Sequence, residues 1–206
     1  MYNEVLCDKT SYFLQLCIII NYKDLLPSYN MKNVTLIQYL KECGAIKFGR
    51  FVLTSGAVSD YYIDIKKAST EPKILKLIAE QMSEYTDGYD LLAGMELGAV
   101  PLVVALALET NLPYVIIRKE KREHGTGKQI EGGDVQGKRV LIIEDVTTSG
   151  GSVVKTIQIL RESTAEVDKV LVVVDREIGA GEQLQKLDVE FIPLVSVSEI
   201  LKNKDR

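Results

Sequence analysis

The sequence predicts an α/β protein: an open, mostly parallel twisted sheet flanked by helices, with a small hood on its N-terminal side. Three observations carry this expectation. Short β-branched and aliphatic runs at 91–93, 113–117, 140–143, 169–174 and 189–195 read as strands buried on both faces. Segments with helical spacing separate them, and that alternation argues for parallel pairing. A length of 206 residues suits one domain, or one domain with a small appendage, and can bury a sizeable core.

Residues 1–30 stand apart from the rest. Their apolar stretch at 12–20 is too short to span a bilayer, and neither a basic leader nor a small-residue cleavage site accompanies it. Met31 then opens a sequence resembling an ordinary start, so 1–30 reads as a dispensable extension, with a packed N-terminal helix as the alternative. Asn33 is expected to cap a helix through Leu36, Ile37 and Leu40, stopped by Gly44. Stretches 45–53 and 59–65 read as two strands of the hood, joined by Thr54, Ser55 and Gly56. Pro72 suits the first turn of a helix running to about Tyr85. After the strand at 91–93 comes an apolar helix at 100–108, then the strand at 113–117, then a polar loop over 119–133. A helix is expected over 153–160, a short one over 181–187, and a closing one over 196–202.

Composition narrows the function. Hydrophobic residues at 46% and charged ones at 26% fit an ordinary globular protein. A net charge of −4 without a long basic cluster points away from nucleic acid. Cys7, Cys17 and Cys43 show neither zinc spacing nor a disulfide framework, which fits a reducing cytoplasm. No membrane partner is expected.

The informative run is Val140-Leu-Ile-Ile-Glu-Asp-Val-Thr-Thr-Ser-Gly-Gly-Ser152. A buried strand meets two adjacent carboxylates, Glu144 and Asp145, where it should be ending, and a small hydroxyl-rich turn leads into a helix. Strand, Gly/Ser/Thr loop and helix N-terminus together make an anion cradle. A phosphate alone would not favour acids beside it; a phosphorylated sugar would, because carboxylates accept hydrogen bonds from its hydroxyls. The run resembles the phosphoribosyl-diphosphate (PRPP) motif of type I phosphoribosyltransferases, and the Gly-Lys-Ser/Thr ending of a nucleotide-triphosphate loop is absent.

Ligands of open parallel sheets bind beyond the carboxyl ends of the strands. That rule puts the 94–98 segment, Arg118 and Lys119, Glu144 and Asp145, and Asp175 and Arg176 on one rim. The stretch from Arg118 to Gly127 holds most of the concentrated positive charge and the single histidine, His124. Such a loop suits a binding or closing role, with cations for a diphosphate and a histidine to donate a bond.

Arg-Lys-Glu-Lys-Arg-Glu-His-Gly at 118–125, the acidic run and Asp175-Arg-Glu-Ile-Gly-Ala180 together are similar to orotate phosphoribosyltransferases of archaeal type, from about Met31 to the C-terminus. The resemblance implies a domain over 31–206, with its hood at about 31–66 and its core at about 67–206. It implies that Arg118, Lys119, Arg122 and His124 contact diphosphate, and that Glu144 and Asp145 hold the ribose hydroxyls. Thr147, Thr148, Ser149, Gly150, Gly151 and Ser152 would hold the 5-phosphate, with Val146 also among the substrate-binding residues, while Thr148 and Arg176 would meet orotate. Lys119, Arg122, His124, Glu144 and Asp145 are the catalytic candidates. The implied reaction moves ribose 5-phosphate from PRPP to orotate, giving orotidine 5′-phosphate and diphosphate on the way to UMP. Mg²⁺ would bind mainly through PRPP oxygens rather than a protein cage, and a homodimer would share its sites. Bacterial members usually carry lysine where Thr54 stands and another near Gly98, so fewer cations are implied here; Arg122 takes a common lysine position with Lys121 beside it. A purine phosphoribosyltransferase and a PRPP-binding regulatory protein are the alternatives.

Overall fold

The computed structural model describes residues 31–52, 58–120 and 129–204. The 1–30 extension, the Thr54-Ser55-Gly56 turn, and Lys121, Arg122 and His124 lie outside the described residues. Helix α1 spans Met31–Glu42, so it starts earlier than expected and Asn33 sits inside it rather than capping it. Its end is as anticipated: the Gly44 N–H donates to the Lys41 carbonyl at 2.9 Å. Strands β1 (Ile46–Val52) and β2 (Val58–Ile63) pair antiparallel as the hood, with a register shift between Phe48 and Phe51. A short helix α2 (Ile65–Ser69) follows; five residues are too few to leave a helical period in a sequence. Helix α3 (Pro72–Ser83) carries Pro72 in its first turn, where the missing N–H loses no hydrogen bond.

The main sheet contains β3 (Leu91–Met95), β4 (Tyr114–Ile117), β5 (Ile130–Gly132), β6 (Val140–Thr147), β7 (Lys169–Asp175) and β8 (Glu190–Ser196). Its spatial order is β5-β4-β3-β6-β7-β8. Every neighbouring pair is parallel except β4 and β5. Strand β5 corrects the expectation of a plain loop over 119–133. Ile117 pairs with Ile130 and Val115 with Gly132, so the edge of β4 is covered by the chain's own return. The rung is extended by the Arg118 N–H donating to the Gln129 carbonyl at 2.9 Å, and by the Gln129 side-chain amide donating back to the Arg118 carbonyl at 3.0 Å.

Alternation along the strands builds two cores. Leu92, Leu141, Ile143, Leu171 and Val173 face α1, α3, helix α4 (Ala99–Thr110) and helix α7 (Val197–Lys202). Leu91, Ala93, Val140, Ile142 and Val170 face helix α5 (Gly151–Glu162) and helix α6 (Ala180–Gln185). Period-two alternation sends successive side chains to opposite faces, so apolar runs of this kind must be covered on both sides. Each fully buried Leu, Ile or Val contributes about 1.5–3 kcal/mol. Helix α7 starts on a capping box: Ser196 accepts from the Glu199 N–H, and Glu199 accepts from the Ser196 N–H. At the amino ends of the strands, Arg139 donates to Asp168 at 2.6 Å, Asp168 also accepts from the Tyr89 hydroxyl at 2.7 Å, and the guanidinium lies over the Tyr89 ring. That cluster ties β3, β6 and β7 together at the far end from the acids. Among the described residues no helix is long and apolar enough to cross a membrane.

From β3 the chain proceeds outward to β4, and from β6 it proceeds outward the other way to β7 and β8. The strand order therefore reverses between β3 and β6. Open α/β sheets bind their ligands at that switch point.

Candidate active site

Strand β6 is held asymmetrically. Its pairing with β3 ends at Ile143, whereas its pairing with β7 continues through Glu144 and Val146 to Thr147. Hence the strand does not stop at the acids, as expected, but runs on with one edge open. The chain leaving β3 crosses that open edge. There, a cavity of about 240 Å³ is lined by Lys66, Glu96, Gly98, Lys119, Glu144, Asp145 and Ser152, with Met95, Leu97 and Val146 beside them. The peptide between Glu96 and Leu97 is cis.

Three of the four expected rim segments line this one cavity: 94–98, Lys119, and the acid pair. Glu96 receives the Lys119 N–H at 2.9 Å, which joins the first two, and the Lys119 carbonyl accepts from Lys155. Both acids reach the cavity although neighbours on a strand point to opposite faces. Each folds back on the next amide: the Asp145 N–H donates to Glu144 at 3.0 Å and the Val146 N–H to Asp145 at 2.9 Å. The backbone of Gly98 lies against Asp145, and a Cβ there would fall 2.0 Å from Asp145 Oδ2. Any side chain there would force the Asp145 carboxylate to move.

Burial pushes the Glu144 carboxyl up to about 8 from its ordinary 4.5, and Asp145 beside it pushes the same way. A carboxyl with a raised pKa favours the folded state below its unfolded value and loses that advantage as pH rises to the folded one. Glu144→Gln should therefore be nearly neutral at pH 4.5 and gain on the wild type up to pH 8, by on the order of 3 kcal/mol. Scanning calorimetry at both pH values checks this; an equal difference at each would mean that the charge of Glu144 is not what burial opposes.

The turn after the acids leads directly into α5. Thr147 is buried and its hydroxyl donates to Asp175 at 3.0 Å, whereas Thr148 and Ser149 are exposed. Gly150 precedes α5 with φ +84 and leans on Ala180, where a Cβ would come within 3.2 Å of the backbone. No side chain caps α5, so its first amides face outward at the positive end of the helix dipole. The Ser152 hydroxyl donates to Glu144 at 3.2 Å, linking the helix start to the acid pair.

Among the described residues, Thr147, Thr148, Ser149, Gly150 and Gly151 do not line the cavity, and neither do Arg118 and Arg176. Arg118 lies 3.7 Å from Glu131, an ion pair made possible by β5. Arg176 follows β7, its N–H donating to the Thr147 carbonyl at 3.0 Å, and its guanidinium lies over the Tyr61 ring of the hood, 5.4 Å from the centroid. Among the described residues Arg176 makes no ion pair with its neighbours: Asp175 accepts from Thr147 and from the Glu177 N–H, and Glu177 accepts from the Ser198 N–H and hydroxyl. The buried Nε of Arg176 has no hydrogen-bond partner among the described residues. A guanidinium presented in that way suits a planar carboxylate. The residue that sequence reasoning missed is Lys66. It lies on the unforeseen α2, and nothing in its local pattern distinguishes it from Lys67 beside it.

The phosphoribosyl transferase domain family matches residues 65–197. The orotate phosphoribosyltransferase of Pyrococcus horikoshii is 54% identical over 171 residues, covering 81% of this chain and 92% of that protein. The crystal structure of orotate phosphoribosyltransferase from Aeropyrum pernix matches with a TM-score of 0.75 at 33% identity, over 82% of this chain and 97% of that one. The Mycobacterium tuberculosis H37Rv orotate phosphoribosyltransferase in complex with PRPP matches with a TM-score of 0.68 at 27% identity, over 82% of this chain and 98% of that one. With more than half of the aligned residues shared with one such enzyme over nearly its whole length, the chain belongs to the orotate phosphoribosyltransferases.

Proposed function

We propose that the cavity between β3 and β6 holds PRPP and that the chain transfers its ribose 5-phosphate to orotate, releasing diphosphate, in pyrimidine biosynthesis. The observation that carries this is the meeting of the acid pair with the uncapped start of α5 through the Ser152–Glu144 bond. The α5 amides and the 147–152 turn take the 5-phosphate, and the two carboxylates accept from the ribose hydroxyls. Positive charge developing on the ribose during transfer faces those carboxylates, and the diphosphate leaves towards Lys119, with Arg122 and His124 supplied by the loop. Arg176 holds the orotate carboxylate against the hood. No covalent nucleophile is required. Enzymatic consumption of orotate, followed by its absorbance, tests the reading: loss should require PRPP and a divalent cation together. Turnover of adenine, guanine or hypoxanthine in place of orotate would overturn the substrate, and PRPP binding without transfer to any base would favour a regulatory protein.

Glu144, Asp145 and Ser152 offer hard oxygen donors, and among the described residues no three His, Cys, Asp or Glu side chains gather into a cage. That donor set fits Mg²⁺ bound chiefly through the oxygens of PRPP, with Asp145 beside it. The ion would neutralise the departing diphosphate. A cytoplasmic location fits these substrates.

A homodimer with shared sites is part of the same proposal, and α4 supports it. Val100, Pro101, Ala105 and Leu108 form an apolar outer face opposite the buried Leu102, Val103 and Leu106, and Leu108 is 78% exposed. A helix that is apolar all round is normally covered on both sides. Two-fold pairing of like subunits is the commonest way to cover it. Mixing inactive Asp145→Asn protein with inactive Arg122→Ala/His124→Ala protein should restore orotate consumption, because a hybrid then joins one intact acid pair to one intact loop. Proven hybrids without activity would place the loop in its own subunit's site.

A further inference from the structure

Lys66 projects from α2 over the acid pair. Its ammonium lies 3.7 Å from Asp145 Oδ2 and 3.6 Å from Asp64 Oδ1. Both distances are within ion-pair range but beyond hydrogen-bonding range, so the group is attracted to two carboxylates and bonded to neither. Asp64 Oδ1 is buried without a hydrogen-bond partner, which shows that Lys66 is not spending its donors there. The ammonium therefore keeps its three N–H groups for an oxygen ligand entering the cavity that it lines. Among the described residues lining that cavity the cations are Lys66 and Lys119, and a Cβ on Gly98 would meet Asp145.

The two acids also divide the cavity. Glu144 is tied to Ser152 at the start of α5, the 5-phosphate end, while Asp145 lies between Gly98 and Lys66. A ribose laid across the pair points its C1 substituent to the Asp145 side. Resting on the PRPP reading above, we infer that Lys66 is a substrate-contact residue for the diphosphate of PRPP. Its ammonium balances Asp145 in the empty site and turns to the diphosphate oxygens once ribose hydroxyls occupy that carboxylate. A compact ammonium on a flexible stem suits such a move.

Lys66 side-chain exposure of 57% makes substitution compatible with folding, which a thermal melt verifies. Titration calorimetry with Mg²⁺ then compares wild type, Lys66→Met and Lys66→Arg for PRPP, inorganic diphosphate and orotidine 5′-phosphate. Lys66→Met should bind PRPP and diphosphate at least tenfold more weakly and orotidine 5′-phosphate within threefold of wild type, with Lys66→Arg recovering most of the loss. Unchanged diphosphate and PRPP affinity in Lys66→Met would overturn the inference. So would an equal loss for orotidine 5′-phosphate, since Lys66 would then only order the acids. A wild type that binds neither PRPP nor diphosphate would instead overturn the reading of the site.

Discussion

Arg176→Ala should bind orotate at least thirtyfold more weakly while its PRPP affinity stays within threefold of wild type. The guanidinium is positioned by its backbone bond to Thr147 and by the Tyr61 ring, and no described carboxylate pairs with it. It is thus poised for an anion from outside the chain. Removing one partner of a desolvated charge pair costs about 2–5 kcal/mol, much of it from the stranded partner. Each 1.4 kcal/mol is tenfold in affinity. Titration of each ligand separately decides the matter. Equal losses for orotate and PRPP would show that Arg176 supports the turn at Thr147 rather than meeting a substrate.

Asp145→Asn should lower turnover by roughly 10²–10³, the effect seen when one electrostatic group aimed at developing charge is removed. The substitution keeps shape and can keep the bond from the Val146 N–H, so the fold and orotate affinity should be unchanged. Initial rates of orotate loss at saturating PRPP measure the effect. A variant within threefold of wild type would mean that the carboxylate charge does no work in the transfer. The contrast with Glu144 is informative: Glu144 is buried and held towards its neutral form, whereas Asp145 lies beside Lys66 and is more open. On the proposed function, removing the charge of Asp145 should therefore cost more turnover than removing that of Glu144.

Much of this was legible in the chain. The strands of the main sheet announce themselves because burial on both faces demands unbroken runs such as Val170 to Val174. The acid pair and its glycine turn are legible because two carboxylates at the end of a buried strand need a ligand to justify them. What sequence could not give are features decided across the fold. Strand β5 spans three residues and exists because β4 has an edge to cover. Asn33 has the chemistry of a cap, yet the helix begins earlier, and a propensity for caps is only a local preference. Lys66 acquires meaning only when α2 is laid against β6. The open edge of β6 likewise belongs to no single segment, since it arises where β3 turns away.

The β4–β5 rung has a consequence for how this enzyme can be altered. Between Arg118 and Gln129 the chain leaves and re-enters through one closed gate of backbone and side-chain bonds. For a segment anchored in that way, doubling the length adds only about 0.6 kcal/mol of closure entropy. Insertions between Lys119 and Gln129 should therefore add little closure cost, which a melting curve checks. On the proposed function, selection for catalysis rather than for thermostability is what would keep the cations of this stretch in place.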